Sequence, residues 1–105
     1  MTLRGKKLGL LLSTFPHLSG FRLGLRLAEA ALDQGMRVYV YCVDDAVHGI
    51  GDSQLQALRT RGLVLYACAY GAQRRSIARD DRAVFAGLTV VSDLIAGTDR
   101  FLSFN

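Results

Sequence analysis

The stretch LYACAYGAQRRSI, residues 65–77, combines a cysteine, a glycine and two arginines at a spacing that suits nucleophilic chemistry. Cys68 precedes Gly71 by three residues, and it precedes Arg74 and Arg75 by six and seven. A cysteine becomes a nucleophile where a helix N-terminus or nearby cations favour its thiolate. If a helix begins near Gly71, its free N–H groups point towards the sulfur, and one arginine is placed to lean over it. The spacing therefore makes Cys68 a candidate catalytic residue, provided that its sulfur is accessible at the tip of a strand.

The other candidate residues each have an ordinary structural explanation beside the chemical one. Cys68 itself also suits an inert core position, since free cysteine packs as a small hydrophobic side chain. Cys42 either fills the core or resolves an oxidised Cys68, which requires Cα atoms within about 7 Å. His17 and His48 are the only histidines, and they suit either acid–base chemistry near neutral pH or a solvated loop. Asp45 either helps to bind a cation or forms a loop turn. We therefore treat Cys42, His17, Asp45 and His48 as accessory candidates.

The chain has no sequence motif for a metal or a cofactor. No His/Cys spacing matches a zinc site, and the first predicted strand is not followed by a glycine pattern that cradles phosphates. The sequence accordingly predicts no metal and no cofactor.

Composition and charge are those of an ordinary globular domain. The chain has 105 residues, 50% of them hydrophobic and 21% charged, which predicts a single domain over residues 1–105 with one core. The net charge of +4 comes mainly from arginines that alternate with acidic or apolar residues, and this argues against direct binding of nucleic acid. No stretch approaches the ~20 apolar residues of a membrane span. Two cysteines are too few for a disulfide framework, so we predict a cytoplasmic protein with reduced thiols.

Apolar runs and helical periods alternate along the chain, and this order predicts crossover units on a parallel sheet. Apolar or β-branched runs indicate strands, whereas an apolar stripe at helical spacing indicates helices. Ser19 and Ser53 are the expected helix N-caps, and Gly35, Gly62 and Gly97 are the expected helix ends. The predicted strands are residues 6–14, 36–43, 63–69 and 100–104, and the predicted helices are residues 19–35, 53–62 and 88–96, with a loop at 44–52 and a helical turn after Gly71.

Polar and reactive side chains follow the first three predicted strands. Residues 13–17, 44–48 and 68–75 each come directly after one of them. Because the carboxyl ends of parallel strands meet at one edge of a sheet, we expect any functional site at that edge.

Three segments, in this order along the chain, resemble the DsrE-like sulfur-relay family. The turn DDAVHG is similar to the family's turn after the second strand, with Ala46 where glycine is usual. LYACAYGAQRRSI resembles the segment in which a cysteine ends a strand and an arginine pair follows six residues later. VFAGLTVVSDLIAGTDRFLSF is similar to the closing pattern of a short strand, a glycine, a helix and a final apolar strand. The chain is shorter than some members between the second and third strands, where they build subunit contacts.

The resemblance implies a three-layer α/β/α fold with a five-stranded, mostly parallel sheet. It also implies that Cys68 takes sulfane sulfur as a persulfide from a donor protein and passes it to an acceptor protein, in sulfur oxidation or tRNA thiolation. Gly71, Arg74 and Arg75 would then stabilise the anion, and the chain would form homo- or hetero-oligomers. Two alternatives stay open: a non-catalytic oligomerisation or regulatory module of the same fold with an inert cysteine, and a small-molecule-binding module that uses the loops after the first two strands.

Overall fold

A five-stranded sheet in which all strands run parallel forms the centre of the structure, a computed structural model that describes residues 2–105. Each neighbouring pair of strands is parallel, so every connection between them is a crossover that carries a helix. The strand order across the sheet is β4-β3-β2-β1-β5. The strands are β1 (Lys7–Leu12), β2 (Arg37–Cys42), β3 (Val64–Cys68), β4 (Val84–Ala86) and β5 (Arg100–Phe104).

Helices cover both faces of this sheet and give the predicted three-layer α/β/α architecture. Helices α1 (Ser19–Asp33) and α2 (Ser53–Thr60) lie on one face, and α3 (Ala69–Arg74) and α4 (Thr89–Gly97) lie on the other. Among residues 2–105, none of these helices combines the length and the apolarity that a bilayer crossing requires.

Successive residues of a strand point to opposite faces of the sheet, and this alternation divides the buried side chains into two cores. The core under α1 and α2 contains Leu10 of β1, Phe21 of α1 and Cys42 of β2. The core under α3 and α4 contains Tyr41 of β2 and Cys68 of β3. The last residues of β2 and β3, Cys42 and Cys68, therefore lie on opposite sides of the sheet.

The helix starts differ from the expected N-caps. The residue that caps α1 is Leu18, not Ser19, and it forms no side-chain capping hydrogen bond. The residue that caps α2 is Asp52, not Ser53, because the Asp52 carboxylate accepts a hydrogen bond from the Leu55 N–H at 3.1 Å. In both cases the cap lies one residue before the expected serine.

The helix ends expected at Gly35 and Gly62 are confirmed, whereas Gly97 is itself the last residue of α4, which has Thr98 as its C-cap. Gly35 has a φ of 80° and Gly62 a φ of 111°, a left-handed region that favours glycine over residues with a Cβ atom. Both residues directly precede the segments that lead into strands.

The predicted loop at residues 44–52 contains a 3₁₀ helix, Asp44–Gly49. Two of its side chains are buried in different cores: Ala46 contributes to the core under α1 and α2, and Val47 to the core under α3 and α4. The 3₁₀ helix therefore closes the carboxyl edge of the sheet beside the end of β3.

Candidate functional site

Cys68 lies at the junction of a strand and a helix at the carboxyl edge of the sheet. It is the last residue of β3 and the N-cap of α3, which begins at Ala69, two residues earlier than expected. Its Sγ atom accepts a hydrogen bond from the Gly71 N–H at 3.3 Å. The sulfur thus takes the capping position that a serine or aspartate oxygen usually occupies, and this explains the early start of α3.

A pocket of about 340 Å³ opens above this sulfur. The Cys68 side chain is only 5% exposed, so the expectation of an openly accessible strand tip needs correction: the sulfur lies at the base of the pocket, not on the surface. The pocket is lined by Val43, Asp44, Cys68, Tyr70, Gly71, Arg74, Arg75 and Leu88.

Arg75 connects the pocket to the 3₁₀ helix. Its guanidinium donates one hydrogen bond to Oδ1 of Asp45 at 3.3 Å and one to the Gly71 carbonyl at 3.4 Å. Because the second bond holds the peptide that follows Gly71, Arg75 helps to fix the helix turn that presents the Gly71 N–H. Asp45, an accessory candidate, is therefore brought to the site through Arg75 and does not itself line the pocket.

Arg74 supplies a cation on the pocket wall. Its guanidinium donates a hydrogen bond to the Tyr70 hydroxyl at 3.1 Å and lies 5.7 Å from the centre of the Tyr70 ring. Arginine is cationic at neutral pH, and this hydrogen bond raises the pKa of Arg74 further above its ordinary value. Within residues 2–105, no carboxylate forms a salt bridge with Arg74. Its charge is therefore available to an anion in the pocket.

The buried side chain of Tyr41 is part of the site and was not anticipated from the sequence. Its hydroxyl donates a hydrogen bond to the Ala86 carbonyl at 3.0 Å and lies beside the Cys68 thiol. Burial, and secondly the adjacent thiol, raise the pKa of Tyr41 well above its ordinary value. The alternation of β2 and β3 carries a signal for this contact, since Tyr41 pairs in register with Tyr66, two residues before Cys68 on the same face.

The structure does not bring Cys42 together with Cys68. Cys42 is completely buried in the core under α1 and α2, and this burial raises the pKa of its thiol to about 12. The sheet separates the two sulfur atoms, so Cys42 is not placed to resolve an oxidised Cys68.

The two histidines lie outside the Cys68 pocket. His17 and His48 are exposed and flank the ring of Phe15, with ring centres 5.8 and 5.4 Å from the centre of that ring. Among the residues that the structure describes, no group of three or more His, Cys, Asp or Glu side chains is arranged to hold a metal ion.

Comparisons with known proteins agree with this fold. A family model described as the DsrE/DsrF-like family matches residues 6–104. A solved structure described as the crystal structure of the ychN protein from E. coli superposes with a TM-score of 0.79, is 16% identical, and matches over 95% of this chain and 99% of that chain. At this identity the likeness shows the fold alone. A search of curated proteins gave no match. Because the family model covers nearly all of the sequence, the chain belongs to the DsrE/DsrF-like family.

Proposed function

We propose that the protein is a sulfur carrier, a sulfurtransferase that holds sulfane sulfur as a persulfide on Cys68 and relays it to a partner protein. The main support is the position of the Cys68 Sγ atom, which lies at the base of a pocket and accepts a hydrogen bond from the Gly71 N–H. Membership of the DsrE/DsrF-like family supports a role in sulfur relay of this kind.

The transfer needs no metal, cofactor or external oxidant. The Cys68 thiolate attacks the outer sulfur of a donor persulfide, a new S–S bond forms, and the S–S bond of the donor breaks to release the donor thiolate. In the second half of the cycle an acceptor thiolate attacks the outer sulfur, and Cys68 leaves as a thiolate. At both steps the sulfur atoms and electrons are only redistributed among the reacting thiols.

The pocket supplies the groups that such an exchange requires. The Gly71 N–H stabilises negative charge on the Cys68 sulfur, because hydrogen bonds to ionised acceptors are about twice as strong as neutral ones. The guanidinium of Arg74 faces the same pocket and attracts an anionic outer sulfur. Arg75 acts through Gly71, whose carbonyl it holds.

Loading with sulfur tests the proposal directly. The reduced protein is incubated with a polysulfide donor and weighed intact by mass spectrometry. We expect wild type and Cys42→Ala to gain one sulfur atom that a thiol reductant removes, because Cys42 is sealed in the core. We expect Cys68→Ser to gain none. A gain of sulfur by Cys68→Ser, equal to that of wild type, would contradict the proposal.

A second candidate function is an oligomerisation or regulatory module in which Cys68 is inert. The low exposure of Cys68, 5%, favours this alternative. The two functions differ in the alkylation rate of the native protein. In a sulfur carrier, the Cys68 thiol is alkylated at neutral pH at least as fast as free cysteine in solution. A packed, inert thiol is alkylated much more slowly.

Under this proposal the donor and acceptor proteins dock around the pocket, and the chain works as a homo- or hetero-oligomer in a reducing compartment such as the cytoplasm. Exposed apolar side chains near the pocket support protein contacts at this face. They are Tyr70 (66% exposed) and Leu88 (60%), which both line the pocket. Light scattering after size-exclusion chromatography measures the mass of the assembly, and a monomer at all concentrations contradicts the oligomer.

A further inference from the structure

The Tyr41 side chain extends across β3 and reaches β4. Tyr41 belongs to β2, and β3 lies between β2 and β4 in the sheet. Its hydroxyl nevertheless donates a hydrogen bond to the carbonyl of Ala86 in β4, at 3.0 Å. Ala86 is the register partner of Cys68, so the path of the phenol passes directly beside the Cys68 side chain.

Two acceptors therefore lie near one hydroxyl proton. The first is the neutral Ala86 carbonyl, which takes the bond in this structure, and the second is the Cys68 sulfur. Tyr41 is completely buried, so water does not compete for its proton. The phenol keeps this proton at neutral pH, since the ordinary pKa of tyrosine is about 10 and burial raises the pKa of Tyr41 further. Tyr41 is thus a permanent donor with a choice of acceptor.

The preferred acceptor depends on the charge of the sulfur. A thiol is a weak acceptor, so the Ala86 carbonyl holds the hydroxyl while Cys68 is protonated. A thiolate is a stronger acceptor, since a hydrogen bond to an ionised group is about twice as strong as a neutral one. Ionisation of Cys68 therefore changes the balance between the two acceptors in favour of the sulfur.

We propose that Tyr41 is a second hydrogen-bond donor to the Cys68 thiolate, in addition to the Gly71 N–H, and that its hydroxyl turns from the Ala86 carbonyl to the sulfur when Cys68 ionises. The inference rests on the proposed function, because the thiolate is both the attacking group in loading and the leaving group in delivery. It adds a buried residue of β2 to a site whose reactive and charged groups lie mainly at the junction of β3 and α3.

Removal of the hydroxyl tests this role. We compare Tyr41→Phe with Tyr66→Phe in a Cys42→Ala background, which leaves Cys68 as the only thiol. Tyr66 is a suitable control because it lies two residues before Cys68 and faces the same core, and because its hydroxyl forms no side-chain hydrogen bond within residues 2–105. The alkylation rate of Cys68 is measured as a function of pH, and thermal melting shows that each variant is folded.

For Tyr41→Phe we expect the pH profile to move to higher pH and the rate at neutral pH to fall about three- to tenfold, since one donor to the thiolate is lost. We expect Tyr66→Phe to follow the parent protein. The charged groups on the pocket wall, Asp44, Arg74 and Arg75, are the same in all three proteins. A Tyr41→Phe profile that superposes on that of the parent overturns the inference.

A second measurement uses the wild-type side chain and does not depend on the stability of a variant. The Cζ resonance of Tyr41 is followed by NMR in isotope-labelled protein as the pH is raised. We expect it to shift together with the ionisation of Cys68 and to lose this step in Cys68→Ser. A resonance that does not respond to Cys68 refutes the inference. Sulfur loading of the wild type is measured separately. The proposed function and the role of Tyr41 can therefore be contradicted independently of each other.

Discussion

Gly71 keeps space open beside the Cys68 sulfur. A Cβ atom at this position would lie 3.6 Å from Sγ and 3.5 Å from Cγ2 of Val47, which is ordinary van der Waals contact. The fold therefore tolerates Gly71→Ala, and alanine stabilises a helix by about 1 kcal/mol relative to glycine. The added methyl group, however, lies against the atom that binds a second sulfur in the proposed function.

We therefore expect Gly71→Ala to separate stability from sulfur loading. The melting temperature stays the same or rises, while the rate of sulfur loading falls roughly tenfold, the effect of one methyl group in a binding pocket. Intact mass spectrometry over time gives the loading rate. The matched control is Gly97→Ala in α4, where an added Cβ has no neighbour within 4 Å. Loading of Gly71→Ala at the rate of the control would show that this space is not used.

At the scale of elements, the strands were predictable because their signal is local. Continuous apolar runs placed β1, β2 and β3 within two residues of their observed ends. Short β4 lies in the segment where the family resemblance, not the periodicity, indicated a strand. The helix caps were wrong at Ser19 and Ser53, because capping depends on the backbone direction before the helix and not on residue type alone.

The site was predictable only where one segment of the chain carries it. Cys68, Gly71, Arg74 and Arg75 share a single strand–helix junction, and the structure places all four on one pocket. Tyr41 reaches this junction from another strand. The position of its hydroxyl depends on the strand order and on a side chain long enough to span β3. Such a contact follows from the register between two strands and not from the spacing of residues within one segment.

Asp52 joins α2 to α1, and its two roles are separable. Its carboxylate caps α2 through the Leu55 N–H and accepts a hydrogen bond from Arg22 at 2.7 Å. We expect Asp52→Ala to lower the free energy of unfolding by about 2 kcal/mol, because it loses both the cap and a partly buried ion pair. Asp52→Asn keeps a capping oxygen and is expected to lose about 1 kcal/mol or less.

Urea unfolding measures both Asp52 variants. Equal losses for Asp52→Ala and Asp52→Asn would mean that the cap contributes nothing. Sulfur loading on Cys68 serves as the control, since Asp52 does not line the Cys68 pocket. We expect its rate to be unchanged in both variants.

At the scale of the whole molecule, the sheet gives the two cysteines different chemistry. Cys68 lines a pocket on one side, whereas Cys42 is fully enclosed on the other. This difference arises because successive strand residues point to opposite faces of the sheet. Of the two thiols, only that of Cys68 is placed for the proposed sulfur exchange. The enclosed thiol instead affects how stability depends on pH.

Burial of Cys42 makes the protein less stable in alkali. Burial raises the pKa of Cys42 from its ordinary value of 9.0 to about 12, so above pH 9 the unfolded chain loses a proton that the folded chain retains. The pKa of buried Tyr41 is raised in the same direction. Below pH 9 these groups leave the free energy of unfolding unchanged. As the pH rises towards 12, Cys42 lowers it from about pH 9 and Tyr41 from about pH 10, by up to about 1.4 kcal/mol per pH unit for each group. Urea unfolding over this range measures the slope, and we expect Cys42→Ala to decline less steeply than wild type. Equal slopes would show that the Cys42 thiol ionises as readily in the folded chain as in the unfolded one.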